Sequence, residues 1–506
     1  MQFDDKREVF GKLRSLLWPI HRHELKKILL IFFLFFLASL NYHLLRVTKE
    51  ALIVTAPQSG AEVLPFLKSF AMLPLAVGMM VGFTFLSRCY NRETIFYAFI
   101  GFFIFFILFF ALILYPQREN FSPDRLSKFL SAVLPRGLHG LIMVMQHWIF
   151  TIYYVVAESW NGFSISILLW GFVNDVTDVA EARRSYAIFG MGLNAAGMVA
   201  GQGGDFLITA LSKVNVLSFS SFLGCKTSWD QTLFIILSII VINCLILIGI
   251  YRFLHVFFFP ERKSLSNVSS EKKTELSLWS SIQYVLQNRY LITISFIVIS
   301  YYLVNNLTEI LWIAQIKELY PRVEEYAAYM SRLTFYTGFI ATIASFLISG
   351  NIIRRFGWKK AALVSPLIVL ISSIFFFYFL FIKNHSPHHT FWGESTLVLA
   401  VFFGSVQNCL MRATKYTLFD ETKEMAFIPL DPASRIQGKL AIDGLGSHLG
   451  KSGSSIFIQF FIVLCGTATA AFPFFAGIIF FILPGWLFSI HSLGKKFESA
   501  REINKT

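Results

Sequence analysis

Charge is what this chain has least of. Asp, Glu, Lys and Arg make up 15% of its 506 residues, where a soluble domain carries about a quarter. Its five cysteines (Cys89, Cys225, Cys244, Cys409 and Cys465) are scattered, with no CxxC pair, which argues against a disulfide framework or a zinc ribbon. No HExxH motif occurs, and no pair of carboxylates has ligand-like spacing, so a metal site is not expected. A phosphate loop is also missing, despite "DGLGSHLGKSG" at 443–453. A Walker loop needs glycine five residues before Gly450, and that position is Leu445.

What fills the chain instead is apolar sequence. Hydrophobic residues make up 55%, aromatic residues 17%, and the mean hydropathy is +0.61. Runs such as Ile28–Leu40, Thr94–Leu114, Leu233–Ile250, Ala361–Ile382 and Thr467–Phe488 recur along the length. Most approach the roughly 20 residues that cross a bilayer as a helix. The sequence therefore predicts an all-α, multi-pass membrane protein with the lipid bilayer as its surroundings. The first 27 residues hold seven Lys or Arg, and no small-residue cleavage site precedes a soluble domain, which argues against a cleaved signal peptide.

Spans are expected near 28–55, 63–87, 94–115, 139–174, 187–212, 231–258, 286–317, 324–350, 360–383, 395–422, 437–465 and 468–492. With the N-terminus inside, about 28 Lys and Arg fall on inner segments and about nine on outer ones, as the positive-inside rule requires. Both termini are then cytoplasmic, and most of the net charge of +14 is this bias. The chain divides into a basic, amphipathic N-terminus (1–27), a six-helix half (28–258), a hydrophilic linker (259–285), a second six-helix half (286–492) and a tail (493–506). The halves echo each other. "FVNDVTDVAEARRSYAIFG" from Phe172 resembles "FDETKEMAFIPLDPASRIQG" from Phe419, and Gly197, Gly201 and Gly204 recur 249 residues later as Gly446, Gly450 and Gly453. Two six-helix pseudo-repeats around a midplane site is a major-facilitator-like organisation.

Against that background, some charges are out of place. A cation at a helix centre costs about 2.5–3.5 kcal/mol, while Leu, Ile or Phe returns only about 0.3–0.6. The first span contains Arg46, Lys49 and Glu50 within "NYHLLRVTKEALIV", and its two cations nearly cancel the apolar run before them. Such residues persist where they face a partner or a polar cavity. His147 and Glu158, Glu309, Arg332, then Arg412, Lys415 and Asp420, then Asp443, His448 and Lys451 fall in later spans. Glu50, Lys415 and Asp420 can also be read as reaching the interface, His147 as a packing residue and Arg332 as one half of a structural ion pair. Arg46, Lys49, Glu158, Glu309 and Lys451 are apolar-flanked on both sides, and a cavity so lined suits an anionic substrate. The span-five glycines (Gly190, Gly192, Gly197, Gly201) and their counterparts in span eleven fit close helix packing better than contact with a phosphate.

Several stretches resemble the ATP/ADP translocases of intracellular bacteria and plastids: "FGKLRSLLWPIHRHELKK", "RVTKEALIVTAPQSGAEVLPFLK", "AESWNGFSISILLWGFVND", "NIIRRFGWKKAALVSP", "TKYTLFDETKEMAFIPLD" and "GKLAIDGLGSHLGKSG". The resemblance runs from about residue 10 to 490 and implies a nucleotide transporter of a bacterial inner membrane. It places the family's four essential charges on Lys49, Glu158, Glu309 and Lys451. The lysines would meet phosphate, with Arg412 and Arg332 as helpers, and the glutamates are candidates for coupling. Tyr154, Trp160, Phe335 and Tyr336 are candidates to stack on the base. The family's exchangers typically carry Arg-Asp-Thr-Lys-Asp where this chain reads Arg46-Val47-Thr48-Lys49-Glu50. That missing acid, with Arg332, tilts the expectation from strict ATP/ADP exchange towards proton-coupled or broader nucleotide import. The expected carrier is a monomer that needs no cofactor and no metal and binds no nucleic acid, with protons as a candidate coupling ion. A membrane enzyme acting on phosphate-containing substrates is the alternative of another class, and a receptor or channel a third.

The charge bias gives a direct test of topology. An alkaline phosphatase reporter inserted between Lys213 and Lys226 should be active, and the same reporter fused after Thr506 inactive; the reverse pattern would invert the orientation.

Overall fold

A computed structural model describes residues 24–177, 179–213, 226–258, 278–347, 356–386, 390–391, 393–430, 434, 438–439, 442 and 453–503. Lys451, Asp443, His448 and the span-eleven glycines other than Gly453 lie outside the described residues.

The apolar segments are helical. In chain order they are α1 (Leu25–Val54), α2 (63–89), α3 (Arg92–Leu114), a short α4 (Asp124–Val133), α5 (Arg136–Gln146), α6 (Trp148–Val176), α7 (Val179–Leu211) and α8 (Ser228–Phe258). The second half contributes α9 (Leu278–Gln287), α10 (Arg289–Leu319), α11 (Val323–Leu347), α12 (Trp358–His385), α13 (Thr396–Ala426), α14 (Ser454–Cys465) and α15 (Phe472–Ile503). A two-residue hairpin, Thr390–Phe391 with Glu394–Ser395, links α12 to α13. The fold is an all-α, major-facilitator-like membrane protein of two six-helix pseudo-repeats.

Among the described residues, seven helices are long and apolar enough to cross a membrane alone, or eight if the bent pair α5–α6 counts as one span. That pair is the expected fourth span, and it bends by 81° at His147. The imidazole Nε2 meets the Pro57 carbonyl oxygen at 2.9 Å, which fits the packing reading of this histidine. α7 and α11 fall short of the apolar criterion for a physical reason. They carry glycines and charges on the faces that meet across the halves, while Phe206 and Phe339 point outward.

Each half has its own aromatic core. Phe35 lies between Trp170 (4.8 Å) and Phe189 (5.5 Å), and the Trp160 indole donates to the Ala38 carbonyl at 2.8 Å. In the second half Tyr301 stacks on Phe419 at 4.5 Å, and Trp486 meets both edge-on. The outer surface is also apolar: Phe105, Phe206, Phe257 and Phe488 are about two-thirds exposed or more, and Phe481 is 83% exposed. So much exposed aromatic surface is explained by lipid as solvent.

The halves meet along α7 and α11. A Cβ at Gly201 would overlap the Phe335 backbone nitrogen and approach the Ser331 carbonyl oxygen at 2.6 Å, and Gly338 returns the approach against Met198 and Asn194. A Cβ at Gly197 would crowd the His43 ring and one at Gly192 the Phe32 ring, both at 3.1 Å. The packing role expected of these glycines is what the geometry shows, except at Gly190, which has open space. Gly201→Ala should destabilise the detergent-purified protein by about 1–3 kcal/mol, as overpacking does, and lower its melting temperature. Gly203→Ala, where nothing lies within 4 Å, should leave it unchanged.

Candidate functional site

The site starts on α1. Arg46, Lys49 and Glu50 stand at i, i+3 and i+4, so they share one helix face, and Val47 packs into the core. Arg46 pairs with Glu50 at 3.5 Å along the helix. Thr48 turns the other way, with its hydroxyl 2.7 Å from the Tyr153 hydroxyl. Lys49 pairs with Glu158 of α6, and its ammonium lies 4.3 Å from the centre of the Tyr154 ring. Lys49 is almost wholly buried while Glu158 is 40% exposed, so the carboxylate is the end of the pair that solvent reaches.

In the second half the same joint appears with its signs exchanged. Glu309 of α10 accepts from the Arg412 guanidinium of α13 at 2.9 Å. The first and fourth spans of one half, and the first and fourth of the other, are thus each tied by one ion pair. Lysine leads in the first half and glutamate in the second. Each fourth span then loosens into a π-helical turn three residues after its charge: Asn161–Leu169 follows Glu158, and Lys415–Phe419 follows Arg412. Such turns leave backbone groups without their α-helical partners and frequently mark functional sites.

A third connection joins the halves. Lys68 of α2 reaches Glu309 at 3.3 Å and the Asn306 side-chain oxygen at 3.4 Å. Asn306 in turn donates to the Ser454 hydroxyl of α14 at 2.5 Å. From α14, Gln459 donates back to the Pro65 carbonyl at 2.8 Å and the Ser69 hydroxyl at 2.7 Å. A small cleft at this junction is walled by Leu64, Pro65 and Lys68 from one half and by Asn306, Glu309 and Ser455 from the other. The two clusters feel one another: Glu309 interacts electrostatically with Arg46, Lys49 and Lys68. Tyr154 and Tyr326 lie within reach of both Glu50 and Glu309. The buried Tyr326 hydroxyl and one Glu50 oxygen have no hydrogen-bond partner among the described residues.

The structure therefore gathers Arg46, Lys49, Glu158, Glu309, Arg412 and Tyr154. It places Arg332 elsewhere, 3.6 Å from Asp205 across the α7–α11 interface, as the structural-pair reading allows. Trp160 is fully buried against Phe103 at 4.4 Å, Phe335 stacks on Phe339 at 6.1 Å, and Tyr336 is 54% exposed. Lys415 pairs with Asp420 at 3.0 Å, and Asp175 pairs with Arg92 at 2.7 Å. Sequence reasoning missed Lys68 and Tyr326. Lys68 satisfies the rule that flagged Lys49, a cation with apolar residues on both sides, but lies only a few residues inside its span. Tyr326 carried no signal, because an aromatic in an apolar helix is ordinary. Among the described residues no cluster of His, Cys, Asp and Glu could hold a metal ion.

A two-half bundle with cations and carboxylates from both halves meeting at its centre defines a secondary transporter for an anionic solute. The chain belongs to the TLC ATP/ADP transporter family, whose model matches residues 3–497. It is 39% identical over 495 residues to ADP,ATP carrier protein 1 of Chlamydia muridarum, covering 97% of this chain and 92% of that one. It is 35% identical to ADP,ATP carrier protein 1 of Rickettsia typhi, covering 96% of each chain. With the plastidic ATP/ADP-transporter of Solanum tuberosum it shares 34%, over 94% of this chain and 74% of that one. Among solved structures, a D-xylose–proton symporter matches with a TM-score of 0.54 at 13% identity, over 92% of this chain and 97% of that chain; this likeness concerns the fold alone. A family of transporters sets aside the membrane enzyme.

Neutralising one end of an ion pair tests substrate contact apart from folding. Lys49→Gln should lower nucleotide uptake into proteoliposomes about tenfold or more. The double variant Lys49→Gln/Glu158→Gln leaves no orphaned charge and should fold normally while remaining inactive. Normal uptake by the double variant would remove Lys49 from the substrate's path.

Proposed function

We propose that this chain exchanges ATP for ADP across a bacterial inner membrane by alternating access, as a monomer with both termini in the cytoplasm. The observation that carries the reading is the convergence of cations from both halves: Arg46, Lys49 and Lys68 from one and Arg412 from the other. A solute gripped from both sides can be released to either face as the halves rock. The names of the relatives, ADP,ATP carriers at 34–39% identity over nearly the whole chain, support the choice of solute and of exchange.

In this mechanism the polyphosphate displaces Glu158 from Lys49 and Glu309 from Arg412, taking over cations that the protein's own carboxylates hold. Lys451 of the second half joins them as a phosphate partner. The base lies against Tyr154, the stacking candidate that stands among the charges. Binding replaces each internal ion pair with one to the substrate, so closure over the nucleotide buries no unpaired cation.

Net uptake coupled to protons is the second reading, and two observations favour it. Val47 replaces the acid that the resembling exchangers carry. Each described cation also has a carboxylate partner, Glu50 for Arg46, Glu158 for Lys49 and Glu309 shared by Lys68 and Arg412, so the carrier has the means to close without a nucleotide. Proteoliposomes separate the two. Labelled ATP should enter vesicles preloaded with ADP at least tenfold faster than unloaded ones, with no response to an imposed pH gradient. Equal rates into unloaded vesicles, accelerated by an acidic exterior and an alkaline interior, would establish proton-coupled import instead.

A further inference from the structure

We propose that Lys68 is a further nucleotide-binding cation of this carrier, one that Glu309 holds across the interface of the halves until the nucleotide claims it. The proposal rests on the nucleotide-transport reading and adds to it a residue and a step. Three features of the molecule support it.

The first is the inequality of the two bonds on Glu309. Arg412, from the same half, approaches to 2.9 Å, while Lys68, from the other half, stands at 3.3 Å. The Lys68 side chain is also the more open, at 30% exposed against 17% for Arg412. A charge-assisted N–H···O bond is normally about 2.7–2.9 Å, so Arg412 is the firm partner and Lys68 the displaceable one. When the halves part here, Glu309 retains Arg412 until the polyphosphate displaces it, whereas Lys68 is left at once without its carboxylate. An ammonium in an apolar span then needs another anion.

The second is the backbone beneath it. Lys68 is the second residue of a π-helical turn, Leu67–Met72, set between Pro65 and Pro74. Pro74 offers no N–H to the turn before it, and the Pro65 carbonyl is taken by Gln459 and Ser69. This backbone is looser than a regular α-helix, which leaves the Lys68 side chain free to turn from Glu309 to an incoming phosphate; an anion between Lys68 and Lys49 would also relieve the repulsion of the two ammonium groups.

The third is that polar bonds cross the halves beside Lys68. Gln459 spans them directly, and Asn306, which accepts from Lys68, is held in place by Ser454 of its own half. The cleft wall mixes these polar groups with Leu64, Ile310 and Ile458, so an anion entering here meets Lys68 as its cationic contact.

The test uses the full-length protein in proteoliposomes, with Leu64→Cys as a reporter at the cleft and ATP and ADP as probes. Lys68→Gln should raise the KM for ATP about tenfold, and the KM for ADP less, because a fourth cation matters most to the longest phosphate chain. It should also speed alkylation of Cys introduced at position 64 by an impermeant maleimide about tenfold over the rate in the same Leu64→Cys background, since the seam has lost its ion pair. Lys68→Arg should keep both values near the parent's. Faster alkylation with unchanged KM values would make Lys68 a structural tie only and overturn the proposal. Unchanged alkylation and KM would overturn it as well. If Lys68→Gln fails to fold, Lys68→Met is read the same way: an ATP KM raised about tenfold at an unchanged melting temperature supports the proposal, and an unchanged ATP KM overturns it. A parent protein that transports no nucleotide would refute the functional reading itself, whatever Lys68 does to alkylation.

Discussion

The pairing of charge inside the bundle is the constraint on which the rest of this structure depends. Lys49 with Glu158, and Glu309 with Arg412, stand where hydrocarbon would otherwise be. Removing one member of a buried pair typically costs about 3–5 kcal/mol, because the other is left without compensation. The two halves reach the same solution with opposite signs on their first spans. A solute that is to displace those internal partners must itself be strongly anionic, and it must meet both halves at once. The geometry thus selects the chemistry of the cargo before any particular base is considered.

The two halves also need a contact that holds them together, and α7 and α11 supply one. Apolar helices gain little from apolar contact in lipid, so they associate through close packing of small residues, here Gly201 beneath Phe335 and Gly338 beneath Asn194 and Met198. Elsewhere the halves are joined by the polar bonds of Lys68 and Gln459 and by the close approach of Gly137 to the Val463 backbone. Hydrogen bonds between membrane helices average about 0.6 kcal/mol and reach about 1.7. Three or four of them therefore amount to a few kcal/mol, while turning a two-state equilibrium from 1:99 to 99:1 takes about 5.5 kcal/mol. A seam of that strength is within the reach of a ligand that favours one state. A wide apolar interface of core density would not be.

Much of this was legible in the sequence, and what was not has identifiable causes. Apolar runs near bilayer length specify helices almost irrespective of neighbours, because lipid offers the backbone no other partner. That is why the helices fall so close to the apolar segments. The cost of charge singled out Arg46, Lys49, Glu158, Glu309 and Lys451, with Arg412 in a wider set, since only a partner or a cavity can keep such groups there. The same argument fails for partners. It could not tell that Arg332 belongs with Asp205, nor that the fourth span bends at His147, where a packing bond to Pro57 replaces helix continuity. Lys68 was missed although it satisfies the same rule, because nothing in the sequence shows that Glu309 and Asn306 of the other half meet it. The aromatic candidates show the limit plainly. Trp160 and Tyr154 lie six residues apart on α6, yet one fills the core and the other lies under the Lys49 ammonium.

Charge counting sharpens the choice between exchange and net uptake. The described cluster holds four cations, Arg46, Lys49, Lys68 and Arg412, and three carboxylates, Glu50, Glu158 and Glu309. Its excess is one positive charge, or two once Lys451 is included. A nucleoside triphosphate carries more negative charge than either excess can cancel, so its entry leaves the closed site net negative, and a displaced carboxylate that moves to water or takes a proton reduces that deficit by one charge. Glu158, the most exposed of the ion-paired carboxylates at 40%, is the one able to do either. If it turns to water, the carrier pays no proton and exchange of ATP for ADP follows directly. If it is protonated, each inward step carries a proton and the missing acid at Val47 becomes intelligible, since a second carboxylate beside Lys49 would have deepened the same deficit. The two modes of transport thus come down to where one carboxyl group goes when a phosphate takes its lysine.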